Sequence, residues 1–365
     1  MDKHHCAGAG RDGGGLVRVV SGFWVSGSLP PVFMDFTAVG YRVDVITFMC
    51  PPVRTLAWRG DTLIDPVGGA RFELDGTLES TCGMRSYPFD RAIATAEHTV
   101  LYTARQTKGI VCGPKGFARE IDRSFYHADA YEYPVALGRL PDGRAALAHC
   151  PAAYNRLVLE DPESGAKLCE RDGESPDFFH SRLAFSPGGA YILSAGWWWH
   201  PFSTVKVYAT DELDEPVANG FKLSDAEVEA AAFLDDDRVL IAATTDDEVL
   251  DVDEPPTPGS LRPGQFGVWS LSAGAWLQRA TLAERTGTIM PAGEEHFVGF
   301  HAHPKLFEIR TGRVVERWEH LPTGRQTSSF LRGQEPIPPL ALDTPNRRFA
   351  VGAPQGVTVV VLAAH

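Results

Sequence analysis

The chain is poor in positive charge. Its 365 residues contain 34 Lys and Arg against 47 Asp and Glu, which gives a formal net charge of −13. A protein without a basic stripe cannot neutralise many phosphates, so nucleic acid and anionic membranes are excluded as expected partners. The expected partner is instead a protein segment or a small-molecule ligand.

Segments that direct a protein to a membrane, or hold it there, are also missing. The first 15 residues, MDKHHCAGAGRDGGG, lack the apolar core of a signal peptide, and no run of about 18 apolar residues occurs. No CxxC pair occurs either, so the isolated cysteines are expected as buried or free thiols in a cytoplasmic protein. These cysteines are Cys6, Cys50, Cys82, Cys112, Cys150 and Cys169.

Turn-forming residues, by contrast, are abundant. The 36 Gly and 27 Pro are spread along the chain between short apolar runs, a pattern that favours many short strands over long helices. The clearest unit, LAFSPGGAYILSAG…TVKVY (183–208), predicts two strands joined by a tight turn, then a loop and a third strand. Six other segments follow the same pattern: 56–64, 92–102, 135–148, 231–242, 288–300 and 340–351.

The third strands of the seven units set the repeat length. Their predicted anchors lie 39 to 61 residues apart, around the period of a four-stranded propeller blade, and the longest interval contains an insertion at 246–265. The anchors are Phe72, Phe117, Val158, Val207, Val268, Phe307 and Val359. The sequence therefore predicts an all-β fold, a single seven-bladed propeller of four-stranded antiparallel blades.

Three segments, LAFSPGG (183–189), LPDGR (140–144) and FEIRTG (307–312), resemble the repeats of WD-repeat and YVTN-type β-propellers. The resemblance covers nearly the whole chain after about residue 40. The Trp-Asp dipeptide of standard WD repeats is missing, and VWS (268–270) comes nearest to it, so the likeness is to a divergent member. It implies a fold and no particular activity.

A closed ring needs an outer strand for its last blade. YRVDVITF (41–48) alternates correctly and is expected to supply that strand, while LVRVV (16–20) is expected as an additional strand. The predicted propeller domain therefore spans 16–365, after a flexible N-terminus at 1–15. The acidic, Pro-rich insertion at 246–265 belongs to blade 5, with a lid, a docking arm and plain disorder as open alternatives.

Aromatic residues concentrate in loops expected on one face. SFYHADAYEYP (124–134) leads into blade 3, SPDFFH (175–180) leads into blade 4, and GWWWHP (196–201) joins the second and third strands of blade 4. Surface aromatics bind peptides, sugars or cations, although the same residues also fill cores. The predicted binding residues are Tyr126, Tyr131, Tyr133, Phe179, Trp197, Trp198, Trp199 and His200.

Histidines in comparable loops suggest a second site. His149, His200 and His303 each follow a second strand, so they are predicted metal ligands or acid–base groups if those loops converge. The alternative is that they are ordinary loop histidines, because no HExxH spacing supports a metal. His180 is expected to hold its blade through Ser194.

Two functions follow from these observations. The first is a non-catalytic cytoplasmic binding module that uses its loop-rich face. The alternative is a metal-dependent propeller enzyme, a lactonase-like hydrolase, lyase or oxidoreductase, with those histidines and His301 at the central channel and a transition metal as cofactor. The absence of a GxSxG elbow and of a P-loop favours the first function.

Overall fold

A computed structural model of the chain describes residues 16–19, 31–38, 40–171, 173–199, 202–246 and 257–364. These residues form seven antiparallel blades arranged in a ring, as the repeats predict. The part of the chain that the structure describes contains no helix with the length and apolarity needed to cross a bilayer. The predicted flexible segment 1–15 lies outside the described residues.

The strands follow one another in blade order. Three come first: β1 (Leu16–Val19), β2 (Val32–Ala38) and β3 (Tyr41–Met49). Blade 1 contains β4 (Ala57–Arg59), β5 (Thr62–Asp65), β6 (Ala70–Phe72) and β7 (Leu78–Ser80). Blade 2 contains β8 (Arg91–Ala94), β9 (Thr99–Tyr102), β10 (Lys108–Gly113) and β11 (Gly116–Asp122). Blade 3 contains β12 (Val135–Arg139), β13 (Ala145–His149), β14 (Val158–Glu160) and β15 (Lys167–Glu170).

Two elements beyond the four-stranded blades, a small hairpin and a single helical turn, occur at blades 4 and 5. Blade 4 contains β16 (Leu183–Phe185), β17 (Tyr191–Ser194), a small hairpin of β18 (Trp197–Trp198) and β19 (Phe202–Ser203), then β20 (Lys206–Ala209) and β21 (Ala218–Asn219). A single helical turn, α1 (Gly220–Leu223), leads to blade 5, which contains β22 (Val228–Phe233), β23 (Arg238–Ala243), β24 (Gln265–Ser270) and β25 (Ala275–Thr281). Blade 6 contains β26 (Ile289–Pro291), β27 (His296–Gly299), β28 (Lys305–Glu308) and β29 (Val314–Arg317). Blade 7 contains β30 (Leu340–Asp343), β31 (Arg348–Ala353) and β32 (Gly356–Ala364).

The ring closes as the sequence predicts. β3 pairs with β32 along its whole length, from Tyr41 opposite Ala364 to Met49 opposite Gly356, and so becomes the fourth strand of blade 7. β1 is the additional strand expected at LVRVV, and it pairs with β2. β2 was not predicted, and together with β1 it extends the sheet of blade 7 from four strands to six.

The core lies between blades and not at the centre of the ring. First strands of neighbouring blades contact one another around the channel, for example β4 with β8 and β30 with β4. Apolar residues of facing sheets fill each junction: Phe300, Trp318 and Phe349 pack between blades 6 and 7. This layered packing leaves the connecting loops exposed at both ends of the ring, where function is concentrated in such folds.

One predicted anchor was wrong. Phe117 lies in β11, the fourth strand of blade 2, whereas the third strand is β10. β10 and β11 are joined by a two-residue turn, with Gly113 paired to Gly116, so no loop separates the two apolar stretches. The side chain of Phe117 is exposed on this edge strand.

Candidate functional site

Three loops bring the aromatic residues of blades 3 and 4 together. Phe179 in the loop leading into blade 4 pairs with Trp197 in hairpin β18–β19: each backbone N–H donates to the other's carbonyl, at 2.8 and 3.1 Å. The loop leading into blade 3 packs against this pair through Tyr126 and Tyr131. The sequence-predicted concentration of aromatic rings is therefore present in the fold.

The inner part of this assembly is a packed stack, which we call the aromatic base: Tyr131, Tyr154, Phe179, Trp197 and Phe330. The rings of Trp197 and Phe179 stack with centroids 3.8 Å apart, and Tyr154 stacks on Phe179 at 4.1 Å. Tyr131 and Phe330 meet Trp197 edge-on. Because Tyr131, Phe179 and Trp197 are buried, the base is a small core in its own right.

The same loops carry a set of exposed rings, which we call the aromatic patch: Phe125, Tyr126, Trp198 and Trp199. Their exposed fractions are 86%, 47%, 39% and 40%. The Tyr126 ring lies nearly parallel to the Phe179 ring, with centroids 5.9 Å apart, so patch and base are one continuous structure. Exposed large apolar side chains grouped in this way mark interaction surfaces.

Neighbouring rings hold the patch in place. The His127 ring contacts both Tyr126 and Trp199, at centroid distances of 4.4 and 5.7 Å. The Trp198 ring meets Phe221 of α1 edge-on at 5.9 Å. His127 has a φ of 51°, a left-handed backbone conformation that turns the chain directly after Tyr126. The patch is thus supported from the side as well as from beneath.

Six of the eight predicted binding residues lie in the aromatic patch or the aromatic base. Tyr126, Trp198 and Trp199 are exposed and belong to the patch. Tyr131, Phe179 and Trp197 are buried in the base, so a ligand resting on this face would not touch them.

Two residues of the predicted set fall elsewhere. Tyr133 is buried between blades 2 and 3, where its ring contacts Tyr102 and Arg123. His200 lies outside the described residues. Phe125 and Phe330 were not predicted, although Phe125 stands beside Tyr126 in the same aromatic loop.

The histidine site predicted from the second-to-third-strand loops is divided between distant blades. His149 is buried in blade 3, where its Nε2 atom lies 3.1 Å from a carboxylate oxygen of Glu160. His301 and His303 are in blade 6, three blades away. Burial, together with the nearby cations of Lys305 and Arg285, lowers the pKa of His301 to about 4.

Among the described residues, no three His, Cys, Asp or Glu side chains are grouped so that they could hold a metal ion. His149 and His303 therefore belong to no such group, and His200 lies outside the described residues. His180 has the structural role expected of it: its Nδ1 atom lies 3.1 Å from the Ser194 hydroxyl, and both side chains are buried. Burial lowers the pKa of His180 to about 3, so this histidine stays neutral.

A segment that the repeats do not predict contacts the loops leading into blades 3 and 4 from another part of the ring. We call it the strap, residues 326–332, in the long connection between blades 6 and 7. Its backbone bonds to the loop leading into blade 3: Glu132 N–H donates to Ser329 at 2.9 Å, and Leu331 N–H donates to Ala130 at 2.6 Å. Because the strap carries Phe330 into the aromatic base, it links the far side of the ring to the patch.

Partly buried charges hold the strap and the neighbouring loops. Arg182, which leads into blade 4, lies 3.1 Å from the Glu132 carboxylate and donates to the Ser328 carbonyl at 2.7 Å. Its φ of 42° is a strained conformation for a non-glycine residue, and these bonds maintain it.

A second ion pair, with a buried carboxylate, lies farther round the ring. Glu229 of blade 5 is 3.1 Å from the Arg285 guanidinium and accepts a hydrogen bond from Gly287 N–H at 2.6 Å. Burial raises the pKa of Glu229 to about 7, although Arg285 and the Gly287 amide oppose that shift. No sequence motif indicated this network.

The insertion predicted in blade 5 is described only in part. Asp246 pairs with Arg285, and Leu261 is buried against the turn of α1, where its N–H donates to the Leu223 carbonyl. Residues 247–256 lie outside the described residues. The role of the insertion stays a prediction.

No protein-family model matches the chain, and no curated protein matches it. Solved structures share its fold. A chain in the crystal structure of the mitotic checkpoint complex is 9% identical with a TM-score of 0.53, covering 91% of this chain and 95% of that one. Hydrazine synthase of Kuenenia stuttgartiensis is 13% identical with a TM-score of 0.57, covering 86% and 97%. At such identities the likeness shows the propeller fold alone.

Proposed function

We propose that this propeller is a non-catalytic binding module that recognises a protein segment with its aromatic patch. The carrying observation is that Trp198 and Trp199 are exposed on the segment that also carries the buried Trp197 into a packed aromatic base. Trp and Tyr provide large contact areas at a low cost in side-chain entropy, and they dominate the energetics of many interfaces. A rigid base adds preorganisation, because the rings need not be ordered when the partner binds.

The charge of the chain favours a cationic, partly apolar segment as the partner. The protein has a net charge of −13, and a Lys or Arg side chain of the partner gains energy over the face of an exposed indole ring. The similar chain in the mitotic checkpoint complex comes from a multiprotein assembly, which is consistent with a protein partner.

The His180–Ser194 contact further supports assignment of the repeats to a divergent WD-repeat or YVTN type.

Selection from a displayed peptide library tests this proposal. The target is the full chain, and the comparison is the double variant Trp198→Ala, Trp199→Ala. Leu277→Ala is the matched control, because Leu277 is also a large exposed apolar residue but lies on the outermost strand of blade 5. We expect the wild type and the control to enrich the same cationic, apolar peptides and the double variant to lose them. Enrichment of those peptides by the double variant would refute the proposal.

A further inference from the structure

The junction between blades 1 and 2 is packed less completely than its neighbours. Its buried apolar cluster consists of only four residues, Val67, Phe89, Leu101 and Ile110, the smallest cluster between adjacent blades in the described part of the chain. Protein interiors are normally packed with few voids larger than a water molecule. A weak junction in an otherwise filled ring therefore needs an explanation.

A cavity of about 600 Å³ lies at this junction and opens at the outer edge of the ring. Its apolar wall includes Ile64, Met84, Leu101 and Phe117. Phe117 is 60% exposed on β11, where it borders the opening. The volume falls in the range of small-molecule sites, which are mostly apolar with a few polar groups that fix the orientation of the ligand.

Arg59 supplies the polar group. Its Nη2 atom donates to the Thr99 hydroxyl at 2.6 Å, and no carboxylate lies within 4.0 Å of its guanidinium among the residues that the structure describes. The other arginine of the cavity wall, Arg71, is different, because Glu73 and Glu79 already pair with it. In a chain with an excess of 13 negative charges, Arg59 is a cation in the wall of a cavity that combines apolar side chains with polar groups.

We propose that this cavity binds a small organic carboxylate with an apolar body. The carboxylate would pair with the Arg59 guanidinium, whose planar donors match a carboxylate in a bidentate geometry. The body would lie against Leu101, Met84 and Phe117 and complete the packing of the junction. This site is separate from the aromatic patch, which is formed by blades 3 and 4.

Two cysteines in the cavity wall report its occupancy. Cys82 and Cys112 line the cavity, and Cys82 is exposed to reagents. Cys169 lies on blade 3 and serves as the internal reference. The rate of alkylation of each cysteine is measured by mass spectrometry of the peptide that contains it. The measurement is made with and without the probe, 11-(dansylamino)undecanoic acid. The account requires slower alkylation of Cys82 in the presence of the probe and an unchanged rate at Cys169.

The affinity of the same probe, followed by its fluorescence, tests the role of Arg59. Loss of one charged hydrogen-bonded partner corresponds to a fall of about tenfold or more in affinity. We expect that loss for Arg59→Gln and for the uncharged amide of the probe. Arg310→Gln, the control, should bind like the wild type, because Arg310 is an exposed arginine of blade 6 that pairs with Glu308 and lies outside the cavity wall. Circular dichroism verifies that both variants are folded.

Equal affinity of the probe for Arg59→Gln and for the wild type would mean that the probe adsorbs nonspecifically to apolar surface. That result would overturn the proposal. So would the absence of saturable binding, or equal protection of Cys82 and Cys169. The double variant Trp198→Ala, Trp199→Ala should retain probe binding, so failure here is distinguishable from failure of the proposed function.

Discussion

Trp197, Trp198 and Trp199 are consecutive in sequence but have different environments. Trp197 is buried between Phe179 and Phe330, whereas about 40% of each of the next two side chains is exposed. Trp197→Ala should lower the free energy of unfolding by about 3–5 kcal/mol, because it removes a packed ring and leaves a cavity. Trp198→Ala and Trp199→Ala should each lower it by roughly 1 kcal/mol or less. Urea denaturation measures all three, and equal losses would show that the patch and the base are not distinct.

Glu229 makes stability depend on pH. Its folded-state pKa of about 7 lies above the ordinary value of 4.5, so folding takes up a proton between those two pH values. Its contribution is fully present below pH 4.5 and is lost as pH rises through 7, at about 1.4 kcal/mol per pKa unit. Arg285 and the Gly287 amide face the carboxyl and favour its charged form; Arg182 is a further nearby cation.

Glu229→Gln isolates this effect, since it keeps an oxygen acceptor for Gly287 N–H and removes the titration. The difference in unfolding free energy, wild type minus variant, should fall between pH 5 and pH 7.5 and stay level above that. Chemical denaturation across this range provides the measurement. A difference that does not vary with pH would mean that Glu229 is ionised throughout.

At the scale of the element, β3 carries the closure of the ring. Its nine residues all pair with β32, while β1 and β2 only extend the same sheet outward. A chain that begins at residue 40 should keep a cooperative thermal transition, with a modest loss from the contacts of β2. A chain that begins at residue 51 should lose that transition and aggregate, because blade 7 then has three strands and a long unpaired edge. Circular dichroism and light scattering distinguish the outcomes.

The strap joins the far side of the ring to the aromatic base through Phe330. Phe330→Ala should therefore loosen the strap and speed hydrogen exchange at the Leu331 amide, which donates to the Ala130 carbonyl. Peptide binding by the patch should weaken only moderately, because the rings that touch the partner remain. Phe117→Ala, on blade 2, is the control and should leave Leu331 protected. Unchanged exchange in Phe330→Ala would show that backbone bonds alone hold the strap.

At the scale of the molecule, local patterns predicted the blades well because each blade is built from neighbouring segments. The turn in LAFSPGGAY illustrates this: Gly189 has a φ of 78°, and a Cβ there would lie 1.8 Å from the Arg139 carbonyl, so the turn residue is visible in the sequence itself. The failure at Phe117 has a local cause too, since a two-residue turn hid the boundary between β10 and β11.

The candidate site could be predicted only in outline. Composition located the aromatic loops, but it could not distinguish Trp197 from Trp198, because burial depends on the pairing of Trp197 with Phe179. The contact between Phe330 and Trp197 joins residues on distant segments, and no periodicity indicates it. The unpaired Arg59 is likewise visible only once its neighbours are placed in space.

The binding role of the aromatic patch is tested most directly by titration calorimetry of a peptide selected by the wild-type protein. The titration compares Trp198→Ala, Trp199→Ala and the control Leu277→Ala, each with its melting temperature. An interface residue of this kind contributes about 2 kcal/mol, so each tryptophan variant should bind at least about 30-fold more weakly while Leu277→Ala binds normally. Wild-type affinity in both tryptophan variants would contradict the account.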